Sequence, residues 1–136
     1  MTAAYPDQPW RGVVIAEGLR DPRIINNLRV VGAHITAADL PVDEEGTRGR
    51  WHLYWLDAAP QDIDLIQAHT LHAWYAHFWT GNQLAVVYDD ARFDVSRDDQ
   101  STWEPAISHG LRQGIAREWL DFPTDDTTGE LESGSA

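Results

Sequence analysis

A chain of 136 residues with a 43% hydrophobic fraction and seven tryptophans has the length and apolar content for one domain, not two. It has no cysteine and no lysine, which excludes disulfides, thiolate metal sites, cysteine nucleophiles and lysine Schiff bases. A formal charge of −12 repels phosphates, so no nucleic acid and no membrane partner is expected, and no run approaches the ~18 apolar residues that cross a bilayer.

Residues 1–9 are polar and proline-bearing and are expected as a loose N-terminal arm. They lack the basic start and apolar stretch of a signal peptide, so a soluble cytoplasmic protein is expected. Arg11 to Ala16 is a short apolar run, predicted as a buried strand. Asp21-Pro22 opens a helix, with aspartate as N-cap and proline at the first helical position. Ile24, Ile25 and Leu28 form its inner face. Val30 to Thr36 alternates as a strand, with Val31, Ala33 and Ile35 on one side and Val30, Gly32, His34 and Thr36 on the other.

Asp39 to Gly49 collects proline, glycine and acids, and reads as an exposed loop or flap. Trp51 to Leu56 is a strand with Trp51, Leu53 and Trp55 on one face and His52 and Tyr54 on the other. Pro60 opens a second helix that runs to about Leu71, with Ile63, Ile66, Thr70 and Leu71 as its stripe. From Trp74 to Tyr88 two strands flank a Thr80-Gly81-Asn82 turn, and Arg92 to Ser96 adds a further antiparallel strand.

Ser101 to Glu104 has capping-box spacing, with Thr102 before Pro105 as the other candidate cap. Trp103, Ile107, Gly110 and Leu111 make the inner stripe of the last helix. Gly114 followed by Ile115 is the pattern of a left-handed terminal glycine and its hydrophobic contact. Trp119 to Pro123 packs back on the body and closes a single domain over 10–123. Residues 124–136 are acidic and small, and are expected as a disordered tail.

The resulting order is β-α-β-β-α-β with a C-terminal hairpin and helix. It predicts an α+β, ferredoxin-like βαββαβ antiparallel sheet with its helices on one face. The other face is then left for a ligand or a partner subunit. The segments Ile15 to Pro22, Trp74 to Phe78 and Gly110 to Phe122 resemble a small family of uncharacterised prokaryotic conserved hypothetical proteins. The resemblance spans most of 11–123 and implies no activity, ligand or catalytic residue.

Chemistry is sought on that open face. His52 and Tyr54 on one strand, with Tyr75, His77 and Trp79 on the other, are expected to meet there if the strands lie close. Aromatic rings and neutral imidazoles in a concavity suit a flat or sugar-like small molecule, and the same residues suit a dimer interface. Glu17, after the first strand, and Asp57, after the third, sit at element ends, and a His77–Asp or a His52–Glu17 dyad would run proton transfer if it came within hydrogen-bond reach. His69 and His72, three apart on the second helix, and His77 on the next strand are the candidate metal ligands. A helix C-terminus also favours histidines for its dipole alone. The sequence has no Gly-x-Ser-x-Gly elbow, phosphate loop or dinucleotide fingerprint, so no cofactor is expected. The leading reading is a homodimeric ligand-binding or protein-interaction domain that uses an aromatic and histidine sheet face. The alternative is a small hydrolase or isomerase with histidine-based acid–base or metal-assisted chemistry.

Overall fold

The computed structural model describes residues 9–36 and 51–124; the arm before Pro9, the loop from Asp39 to Gly49 and the tail from residue 125 lie outside that range. The strands are β1 (Trp10–Ile15), β2 (Arg29–Ile35), β3 (His52–Ala58), β4 (Ala76–Thr80), β5 (Gln83–Val87) and β6 (Arg92–Ser96). The helices are α1 (Pro60–His69) and α2 (Glu104–Arg112). The protein is α+β, with one antiparallel sheet in the order β2-β3-β1-β4-β5-β6.

Two connections cross the sheet, and each passes over one intervening strand. β1 reaches β2 through 3₁₀ turns at Ala16–Gly18 and Pro22–Asn27, and β3 reaches β4 through α1. The Asp21 cap is as predicted, its carboxylate accepting from Arg23 N at 3.1 Å. The segment it caps is a 3₁₀ run and not an α-helix. Pro-Arg-Ile-Ile-Asn-Asn holds β-branched residues and asparagines, which favour helix poorly and lack the length for a second turn. The first crossover is thus a 3₁₀ run where the sequence reading expected the first helix of a βαββαβ unit.

From β4 the chain meanders. Thr80 pairs with Gln83 across a two-residue turn whose first position, Gly81, has φ +54°. A tight hairpin needs a left-handed residue there, and glycine supplies it without a Cβ clash.

The sheet is covered on both faces, which corrects the expectation of helices on one face only. On one side Val14, Leu56, Phe78 and Val87 pack with Ile63 and Ile66 of α1 and with Leu19 and Ile24. On the other, Val13, Trp55, Trp79, Leu84 and Val86 pack with Trp103 and Ala106 and with Leu120 and Phe122 of the closing segment. The physical reason lies in β5: Leu84-Ala85-Val86-Val87 is apolar on both sides of the pleat, and both sides need cover.

The C-terminal helix is led in by a turn that starts earlier than its predicted cap. Asp99 accepts from Ser101 N at 3.0 Å and from Ser101 Oγ at 2.6 Å, and caps a 3₁₀ turn at Gln100–Trp103 that leads into α2. Its end is as predicted, with Gly114 at φ +95°, Gly114 N on Leu111 O and Ile115 N on Gly110 O, both at 3.0 Å. The buried stripe is Trp103, Ala106 and Gly110, while Leu111 faces solvent.

Candidate functional site

Register decides which side chains meet. Val13 sits opposite Trp55 on β3 and opposite His77 on β4, so those three share one face. Leu56 and Phe78, opposite Gly12, share the other face, and β3 alternation puts Tyr54 and His52 with them. The sheet therefore separates His52 and Tyr54 from His77 and Trp79, and the single aromatic and histidine face expected from the sequence does not form.

Three of the candidate residues do come together, on the α1 side. Glu17 lies in the 3₁₀ turn after β1, and its carboxylate reaches the first residue of β3. It accepts from His52 N at 2.8 Å and lies 2.6 Å from His52 Nδ1. A carboxylate on Nδ1 fixes a proton there and leaves Nε2 as the nitrogen not engaged by Glu17. Both side chains are partly exposed, 43% for His52 and 35% for Glu17.

Beside this pair lies an open groove of about 420 Å³, lined by Ala16, Pro22, Ile25, Leu28, Val30 and Tyr54, with Asn26 as its polar wall residue. Ala16 adjoins Glu17 in the chain, and Tyr54 shares a face with His52 one pleat along. Apolar side chains with a phenol and an amide among them suit a ligand that buries a flat or aliphatic part and keeps a polar end outside.

Tyr75, His77 and Trp79 belong to the opposite interior. The Tyr75 hydroxyl donates to Trp119 O and His77 Nε2 lies against Pro123 O, both at 2.5 Å. His77 is 4% exposed and stacks on Trp79 at 5.6 Å. Burial lowers its pKa to about 4, opposed by the Pro123 carbonyl. Burial likewise pushes the Tyr75 and Tyr88 phenols up, and the Tyr88 hydroxyl donates to Ala106 O at 2.6 Å. These groups tie α2 and the closing segment to the sheet.

The candidate metal ligands do not converge. His69 Nδ1 turns back to Leu65 O at 3.2 Å, exposed His72 lies 3.5 Å from Asp89, and His77 is buried across the sheet. Among the described residues no group of three or more histidines and acids is gathered to hold an ion.

Two features escape a reading of the sequence. The groove walls come from Ile25 and Leu28, which local patterning assigns to the inner face of a helix, and from Val30, which it places with Gly32, His34 and Thr36. In β2 the pairing shifts between Val30 and Gly32, so Val30, Ala33 and Ile35 all lie on the face of Leu56, Tyr54 and His52. Gly32, in the interior of the strand, is the available signal for that bulge. The second feature is a tryptophan cluster that joins three segments, with Trp51 5.5 Å from Trp74 and 5.2 Å from Trp119. The sequence matches no protein-family model, and neither the curated proteins nor the solved structures compared with it gave a match.

Proposed function

We propose that this chain is a ligand-binding domain whose site is the groove floored by Tyr54, with His52 held at its rim by Glu17. The observation that carries the reading is an open concavity lined by Tyr54, Asn26, Ile25, Leu28 and Val30, on the face of the sheet where Glu17 holds His52. Tyr54 supplies a flat surface, Ile25, Leu28 and Val30 supply apolar walls, and His52, its ring fixed by Glu17, supplies Nε2 as a polar contact. The test is an amide-resolved NMR titration with small aromatic and aliphatic fragments. Shifts are expected to centre on residues 16, 25–30 and 54, and Tyr54→Ala is expected to weaken the best fragment about tenfold, the loss of roughly 1.4 kcal/mol of contact. Shifts centred elsewhere would remove the reading.

The ferredoxin-like reading of the first half of the fold is kept in this proposal. It is supported by the antiparallel order β2-β3-β1-β4, in which both crossovers lie over one face. Cytoplasmic location is likewise proposed.

A second reading, acid–base chemistry at the same rim, is favoured by the two-point hold of Glu17 on His52. A carboxylate that fixes the ring leaves Nε2 positioned to take a proton from water or substrate. Glu17→Gln is then expected to lower hydrolysis of a short-chain nitrophenyl ester by about 10²-fold, the usual weight of such a base, while His72→Gln leaves it unchanged. Equal rates in all three proteins would exclude this reading.

A further inference from the structure

We infer that the ligand of the groove is an uncharged, planar aromatic amide, its ring stacked on Tyr54 and its amide paired with the side chain of Asn26. The inference rests on the groove being a binding site and names the class of molecule it takes.

The residues around the concavity decide the charge. None of its lining side chains is charged at neutral pH. The charged residues that adjoin them in the chain are already engaged. Glu17, next to Ala16, takes His52 N on one oxygen at 2.8 Å and lies 2.6 Å from His52 Nδ1 with the other. Asp21, next to Pro22, accepts from Arg23 Nε at 2.9 Å and from Arg23 Nη2 at 3.1 Å, one on each oxygen. Arg29, between Leu28 and Val30, is turned towards Asp57 at 3.6 Å, and Asp57 also accepts from Arg11 Nε at 3.0 Å. A charged ligand entering an apolar concavity gives up water, and these groups offer it no unpaired counter-charge. A neutral ligand avoids that cost.

The polar groups within the groove decide the edge of the ligand. Tyr75 and Tyr88 donate to main-chain carbonyls at 2.5 Å and 2.6 Å. Among the described residues the Tyr54 hydroxyl has no such partner, and its ring contacts no other aromatic ring. Its body packs at the margin of the α1-side core. The Asn26 amide likewise makes no hydrogen bond among the described residues. An amide side chain presents a donor and an acceptor side by side. A ligand amide presents the same pair reversed, so two parallel hydrogen bonds form in one plane. The attached ring extends over the phenol, where offset stacking is favourable. A carboxylate offers acceptors only and an amidinium donors only, so each matches half of Asn26. A bare hydrocarbon ring matches neither half. The volume of about 420 Å³ lies within the roughly 300–1,000 Å³ usual for small-molecule sites.

The probes are benzamide, its charged counterparts benzoate and benzamidinium, and toluene, each in an amide-resolved NMR titration of the full chain. Benzamide is expected to shift residues 25–30 and 54, and to bind at least about tenfold more tightly than each of the other three, one decade of affinity. Asn26→Leu keeps the size of an exposed side chain and removes both hydrogen bonds. It should keep the spectrum of the distant strands β5 and β6, lower benzamide to the affinity of toluene and leave toluene unchanged. Benzoate or benzamidinium binding the groove as tightly as benzamide would overturn the neutral ligand. Benzamide binding equally well to Asn26→Leu would overturn the amide pairing. If toluene shifts the groove and benzamide does no better, the groove reading survives and this inference fails. If no probe moves the groove, both readings fail together.

Discussion

Alanine at position 12 is expected to destabilise the protein by about 3 kcal/mol, the upper part of the usual range for overpacking a core. Gly12 lies mid-strand in β1, with Leu56 beside it on one neighbour and Phe78 on the other. A Cβ built there runs into Phe78 Cδ2 and comes within 2.5 Å of Cε2. The ring lies over the bare backbone, and it has nowhere to go because Phe78 and its neighbours Leu56, Ile63 and Ile66 are fully buried. β1 joins both halves of the sheet, so the strain cannot be shed by fraying an edge. In urea the midpoint should fall with the slope unchanged, since the surface exposed on unfolding is the same. Phe78→Leu in the alanine background should restore part of the loss, because the two residues share one volume and couple. An unchanged midpoint for Gly12→Ala would show that the ring relaxes freely, and that this face of the sheet is packed less tightly than the distances imply.

How far the fold is legible depends on the range of the rule that reads it. Caps, turns and alternation act over a few residues. Accordingly Asp21, Gly81, Gly114 and the two faces of β3 are where the sequence places them. The shared face of His52 and His77 requires knowing how β3 and β4 align through β1, which lies between them. Shifting one strand by a residue exchanges all its side chains between faces, and no local pattern fixes that shift. The cover on the second face is legible in part: the apolar run of β5 calls for it, whereas an open face is inferred from element order alone. Of the candidate site, Glu17–His52 is one of two histidine–acid dyads the sequence offers, and it is hydrogen-bonded, whereas His77 lies against the Pro123 carbonyl instead. The groove is not legible, since it arises where a 3₁₀ run, too short for a helix, stands over a bulged edge strand.

His77 is expected to withdraw stability as pH falls from about 6.5 towards 4, by about 3 kcal/mol in all at 1.36 kcal/mol per pKa unit. The sign is set by its environment. Buried against Trp79 and under Pro123, the folded imidazole has its pKa lowered to about 4, below its ordinary value of 6.5. Between those values the unfolded chain holds the extra proton and the folded chain does not, so unfolding gains on acidification. The contribution is complete above the unfolded pKa and lost once pH reaches the folded one. Asp21 and Asp90 act in the same direction at lower pH, because Arg23 and His109 hold their carboxyls below the usual range. Asp121 acts oppositely, its carboxyl raised by burial. All three are common to the wild type and His77→Gln, an amide that keeps a donor for the Pro123 carbonyl, so the difference between the two proteins isolates the imidazole. Denaturant stability measured at intervals from pH 7 to pH 4 should converge, with the wild type falling more steeply. Parallel curves would mean that the imidazole takes up its proton without leaving the fold. The closing segment would then have to yield locally around Pro123 while the sheet beneath it stays intact.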